Sequence, residues 1–129
     1  MAWKVLLVVG FALLFGGPTE IAHAQAPQGF SGKASYYDKG YRGRVTEGEA
    51  YDPNKFTCAH LTLPFGTRLR VTDKKTSRSV VVVVNDRGPH SKKLVIDLSW
   101  AAAQELHMIE RGVIDVTAVV LPEEPAVKK

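Results

Sequence analysis

Three polar residues of this chain stand beside apolar or turn segments, where a rigid scaffold can present a side chain for chemistry. Glu49 lies in the turn-rich run from Arg42 to Pro53, His60 just ahead of Leu61-Thr62-Leu63-Pro64-Phe65-Gly66-Thr67, and Asp86 just beyond the five valines Val80 to Val84. A carboxyl at the end of so apolar a stretch is expected to be partly desolvated. Desolvation raises its pKa and lets it hold a proton near neutrality, as a general acid must. Arg87 beside it works in the opposite direction, and the structural alternative is that Asp86 caps the Gly88-Pro89 turn. His60 titrates near neutrality and can orient a carboxylate or share a proton with it; otherwise it is an ordinary surface or core histidine. Glu49 next to Gly48 reads either as a groove residue or as a solvated turn residue. Asp97, in Ile96-Asp97-Leu98-Ser99, precedes a helix-forming run and is assigned a structural role at the positive end of the helix dipole.

Other chemistries find no footing. His60, His90 and His107 show no metal-ligand spacing, Cys58 is the single cysteine, and neither a metal nor a cofactor is expected. GxSxG, P-loop and GxGxxG patterns are absent, as is a basic helix interleaved with aromatics, so a nucleotide or nucleic-acid partner is not expected. The 17 Lys and Arg against 13 Asp and Glu give a net charge of +4, which allows weak attraction to any polyanion and selects none. Cys58 cannot form an internal disulfide and is expected to be buried and inert.

The elements that must position these residues are short and strand-like. At 129 residues, 45% apolar and 23% charged, the chain has the size and composition of one folded domain. Strands are expected at 32–37, 68–72, 80–84, 94–98 and 113–121, with Asp73 to Arg78 as a hairpin loop. The valine run is expected at the sheet centre, covered on both faces. Ser99 is a good N-cap for a helix from Trp100 to Leu106, whose three alanines favour helix, and Gly112 redirects the chain afterwards. About six strands and one short helix suit a small, mostly antiparallel barrel better than a βαβ fold.

Residues 1–24 read as a secretory signal peptide: Lys4 leads an apolar run from Val5 to Phe15, and Ala22-His23-Ala24 suits signal peptidase. The run is shorter than the roughly 20 residues of a bilayer span, so no stable membrane anchor is expected after cleavage, and no cysteine follows for a lipid. The domain is expected at 30–121, after a short linker at 25–29 and before a disordered tail at 122–129, as a monomer in the periplasm or secreted.

Ala34-Ser35-Tyr36-Tyr37, then Thr46 to Asp52, Thr57 to Thr67, Val84 to Pro89 and Ile96 to Ser99 follow in an order that resembles the rare lipoprotein A family. AHLTLPFGT and NDRGP together carry the resemblance, which runs from Phe30 to Leu121. It implies a mainly β fold, the six-stranded double-psi β-barrel shared with barwin and expansins. It also implies an endolytic lytic transglycosylase that cuts peptide-poor peptidoglycan glycan strands between N-acetylmuramic acid and N-acetylglucosamine, leaving 1,6-anhydro ends. By that resemblance Asp86 is the essential acid, protonated at rest, His60 holds it in place, and Glu49 contacts the sugar. Tyr36, Tyr37, Asn85 and Arg87 are then candidate sugar-binding residues. Expansin-like relatives with this barrel loosen polysaccharide without cleaving it, which leaves a non-catalytic wall-binding module as the alternative.

Overall fold

The computed structural model describes residues 28–46 and 48–123. They form β1 (Gly29–Tyr36), β2 (Thr57–Ala59), β3 (Arg68–Asp73), β4 (Ser79–Asp86), β5 (Ile96–Leu98), α1 (Trp100–Glu105) and β6 (Ile114–Val120). The strands close into one barrel in the order β1-β5-β2-β4-β3-β6. This is the six-stranded double-psi β-barrel with one short helix. Four ladders are antiparallel, while β1–β5 and β2–β4 are parallel. Every strand has a partner on each side, but the short β5 and β2 cover only the ends of β1 and β4.

Five successive valines cannot all point one way in a pleated strand. Val80, Val82 and Val84 face the core, whereas Val81 and Val83 are half-buried on the outer wall, so the expectation of two covered faces is corrected. The barrel wall is one layer, and only its inside is filled. Leu69, Val71, Ile96, Leu98 and Val116 join the valines there, all fully buried. Burying each such side chain contributes about 1.5–3 kcal/mol.

β3 and β4 form the expected hairpin around Lys74 to Arg78, pairing Thr72 with Ser79. β2 was not foreseen: three residues, Thr-Cys-Ala, show no period, yet they lie between β5 and β4 and close the barrel. The expected strand at 94–98 is ordered as a strand only from Ile96, and β6 is two residues shorter than expected. Gly29, the last residue of the expected linker, already pairs with Val119 in β1. Gly32 must lack a side chain, because a Cβ there would lie 2.6 Å from Val95 Cγ1.

Ser99 caps α1 as expected, its hydroxyl accepting the Ala102 N–H at 3.2 Å. Leu106 becomes the C-cap instead of the last helical residue. Cys58 is 1% exposed, and burial followed by the charge of Asp97 pushes its thiol pKa up, away from reactivity. The proposed signal peptide and most of the tail, residues 124–129, lie outside the described residues. Among the described residues no helix is long and apolar enough to cross a membrane.

Candidate active site

Asp86 ends β4, where the barrel wall meets the long connection from β1 to β2. The residue is 9% exposed, and both carboxylate oxygens accept hydrogen bonds. Oδ1 accepts the Thr46 N–H at 2.6 Å, the Thr46 hydroxyl and the Arg87 N–H at 2.9 Å, while Oδ2 accepts the Tyr37 hydroxyl. Burial alone pushes this carboxyl up. The Thr46 and Tyr37 hydroxyls and the two backbone N–H groups together outweigh it and hold Asp86 below the usual carboxylate range. A group so satisfied is ionised at neutral pH, which corrects the expectation of a protonated Asp86: the desolvation is present, but four donors reverse its effect.

Asp97 has the opposite environment. It points outward from β5, and Ala59 of β2 pairs in register with both Asp97 and Asp86, so one short residue separates the two aspartates across the wall. The Ser35 hydroxyl of β1 donates to Oδ1. Oδ2 takes no hydrogen bond among the described residues, and Asp97 as a whole is half-buried. Burial raises the Asp97 pKa, Ser35 lowers it, the charge of Asp86 raises it and His90 lowers it, for a net upward shift. Ser99 provides the N-cap of α1.

His60 lies beside Asp86 through the backbone, its N–H donating to the Asp86 carbonyl at 3.1 Å. The imidazole does not hold the carboxylate, contrary to expectation. Its Nδ1 accepts the N–H groups of Thr62 at 3.2 Å and Leu63 at 3.1 Å, and its ring packs 4.9 Å from Phe30. Burial and then the charge of Arg87 lower its pKa. The ring is therefore neutral, with its proton on Nε2, a fixed donor.

The other candidates divide. Tyr36 packs against the core, edge-on to Trp100, with its hydroxyl donating to the Ile109 carbonyl at 2.7 Å, so it offers no sugar platform. Tyr37 is a donor to Asp86 rather than an open face: it stacks on Tyr51 at 4.7 Å, and Tyr41 stands edge-on to both. Burial and then the bond to Asp86 push the Tyr37 hydroxyl far above its ordinary pKa, so it always carries its proton. The Arg87 guanidinium does not line a groove. It donates to the carbonyls of His60 and Leu63 and lies 4.1 Å over the Phe65 ring, pinning the segment that carries His60. Glu49 and Asn85 do come together, with Asp52, Lys55, Thr57 and Val83, around a small cavity of about 110 Å³ on the outer wall. Sequence reasoning missed Thr46, Ser35 and Tyr37 as donors to the two aspartates. Only their place inside AS35YY and T46EGEA hinted at a role.

Among the described residues no cluster of three or more His, Cys, Asp or Glu side chains could hold a metal ion. The closed six-stranded barrel with one short helix places the chain among the double-psi β-barrels. The family described as lytic transglycolase matches residues 29–118, and the chain belongs to it. It is 52% identical over 95 residues to a probable endolytic peptidoglycan transglycosylase RlpA of Nostoc sp., covering 71% of this chain and 26% of that protein. It is 48% identical over 87 residues to the endolytic peptidoglycan transglycosylase RlpA of Neisseria meningitidis, covering 67% and 36%. The chain thus spans about a quarter to a third of those relatives. Among solved structures, the Streptomyces papain inhibitor shares the fold with a TM-score of 0.61 at 27% identity, covering 74% of this chain and 96% of that one. An expansin of Clavibacter michiganensis also has a TM-score of 0.61, at 23% identity over 77% of this chain and 53% of its own.

Proposed function

We propose that this chain is an endolytic lytic transglycosylase of the cell wall, with Asp97 rather than Asp86 as the proton carrier. One observation supports the assignment above all: two aspartates flank Ala59, and their surroundings push their proton affinities apart. Such a pair separates the acid from the fixed charge. The proton leaves Asp97 for the glycosidic oxygen between N-acetylmuramic acid and N-acetylglucosamine, and the bond to the muramic C1 breaks. Asp86, already ionised and immobile, stabilises the oxocarbenium-like charge without reorganising. The Asp97 carboxylate then takes the proton of the muramic C6 hydroxyl as that oxygen bonds to C1, closing a 1,6-anhydro ring. The nucleophile comes from the sugar, so no activated water between two spaced carboxyls is required.

His60 supplies a neutral N–H to a sugar or acetamido oxygen, and Glu49 with Asn85 contacts sugar hydroxyls beside the cleavage point. A leader at residues 1–24 would place the protein in the periplasm or outside the cell, where this substrate lies. The test is to incubate the protein with amidase-treated sacculi and read the soluble products by mass. Fragments with 1,6-anhydro ends are expected, and none from Asp97→Asn. Binding to sacculi with no released fragment would instead identify a wall-loosening module and overturn the enzyme reading.

A further inference from the structure

The end of the barrel away from Asp86 carries an open depression of about 520 Å³ that the cleavage mechanism does not use. One side is the β3–β4 turn, with Asp73, Lys74 and Lys75; the other is the chain from Arg111 to Asp115 that enters β6. Main-chain bonds and one ion pair tie the two sides together. The Lys74 N–H donates to the Asp115 carbonyl at 3.0 Å, the Lys75 N–H donates to Asp73 Oδ1 at 2.9 Å, and Asp73 Oδ2 accepts the Arg111 guanidinium. These bonds fix the backbone of both lysines and leave their side chains over: both residues are exposed, and neither side chain has a hydrogen bond or ion pair among the described residues. Arg111 cancels Asp73, and Lys33 lies 3.1 Å from Asp115, so Lys74 and Lys75 are the surplus charge of the depression. Val113, 47% exposed, gives the same depression an apolar wall.

We propose that this depression is a second binding site, which takes an aliphatic carboxylate of the cell wall and anchors the domain a strand's length, about 25 Å, from Asp86. The inference rests on the peptidoglycan reading above, which supplies the ligand. Two point charges on flexible stems beside an apolar wall match a carboxylate on an aliphatic arm. A phosphate is the poorer match. Arg111 directs its guanidinium at Asp73 and at the Leu106 carbonyl, 3.5 Å away, and the N–H groups of Asp73, Lys74, Lys75 and Ser77 all have acceptors, so no open backbone nest faces the depression. Peptidoglycan carries such a carboxylate in two places: on the peptide stem and, where an amidase has removed the stem, on the lactyl group of N-acetylmuramic acid. Because Asp73 already fixes the turn, binding orders little more than two lysine side chains. A weak anchor of this kind raises the local concentration of glycan at the cleavage site, since one attachment makes the other intramolecular.

The test is the binding of two probes, the free stem peptide and N-acetylmuramic acid, followed by the backbone amide NMR signals of the whole chain, with inorganic phosphate as the comparison. One or both carboxylates are expected to shift Lys74, Lys75 and Val113 and to leave Thr46 and Arg87 in place, and the probe that does so names the source. In Lys74→Gln/Lys75→Gln the affinity should fall about tenfold, the size of two exposed ion pairs, and Lys74→Arg/Lys75→Arg should hold most of it. The main-chain bonds survive both substitutions, so the variants should keep the parent's urea midpoint and its kcat for anhydro-fragment release, the loss appearing in KM on sacculi. Shifts absent with both probes, or unchanged in the glutamine variant, overturn the proposal; phosphate binding as tightly as the carboxylates overturns its ligand class. Fragment release by the parent tests the underlying reading separately. Shifts that stand without release make the depression the anchor of a non-cleaving wall module, whereas release without shifts keeps the enzyme and removes the anchor.

Discussion

Two buried aspartates lie near opposite ends of the β3–β4 hairpin and do opposite work. Asp73 sits beside the turn and Asp86 at the far end of β4, eight residues of strand or about 25 Å away. Asp73 is 1% exposed and bonded to the Arg111 side chain, the Lys75 N–H at 2.9 Å and the Ser77 N–H through its carbonyl. Burial pushes its carboxyl up, and Arg111, Lys75 and Thr76 together pull it below its usual range. Its charge is cancelled by a full opposite charge, so Asp73 holds the hairpin to the turn after α1. Among the described residues no cationic side chain bonds to the Asp86 carboxylate. Neutral donors satisfy its geometry and leave its negative charge in place, where it can act on a neighbour. A matched ion pair makes a joint; a charge held by dipoles makes a field.

Asp97→Asn tests the field end most strongly. It is expected to lower release of anhydro fragments by about a thousandfold, within the range for losing a general acid. Asp97 is raised by burial and by Asp86, so its folded form favours the proton, and the cost of ionising it is present above the ordinary aspartate pKa. Removing that carboxyl should therefore raise the urea midpoint at pH 7 while activity disappears. A variant that loses stability together with activity would place Asp97 in the scaffold.

Asp73→Asn tests the joint. It leaves Arg111 without its counter-charge and should cost about 3 kcal/mol in urea unfolding, the lower end for a broken buried pair because Arg111 is 30% exposed. Activity per folded molecule should hold. Lost activity at unchanged stability would erase the contrast between the two ends.

Tyr37→Phe removes one neutral donor from Asp86 and should cost about 1.5 kcal/mol, as for a hydrogen bond to a charged group. Release should fall by about tenfold as Asp86 loses orientation. A smaller effect comes from acid. Asp73 and Asp86 are both depressed, so the stability they contribute is present above the ordinary aspartate pKa of about 4 and is lost as pH falls through their folded values. A urea midpoint followed downward from pH 5 should drop, and in Asp73→Asn it should drop less.

The fold was legible wherever a period or a capping residue was written locally. Leu69 and Val71 alternate with Arg68 and Arg70, Ser99 precedes three alanines, and Asp73 to Arg78 is a polar break between two strands. β2 was not legible, because Thr57–Ala59 has no pattern of its own and is a strand only through β4 and β5 beside it. The site followed the same rule. The importance of Asp86 was visible from its place after the valines, but the direction of its pKa shift was not, because Thr46 and Tyr37 lie about forty and fifty residues earlier in the chain.

Residue types and short spacings therefore determined the strands other than β2, the helix cap, the inert Cys58 and the family that the motifs resemble. The tertiary structure decided which aspartate is held below the usual carboxylate range and which is raised above it. Proton affinity depends on the donors and charges within a few ångströms, and closure of the barrel brings those groups together from distant parts of the chain.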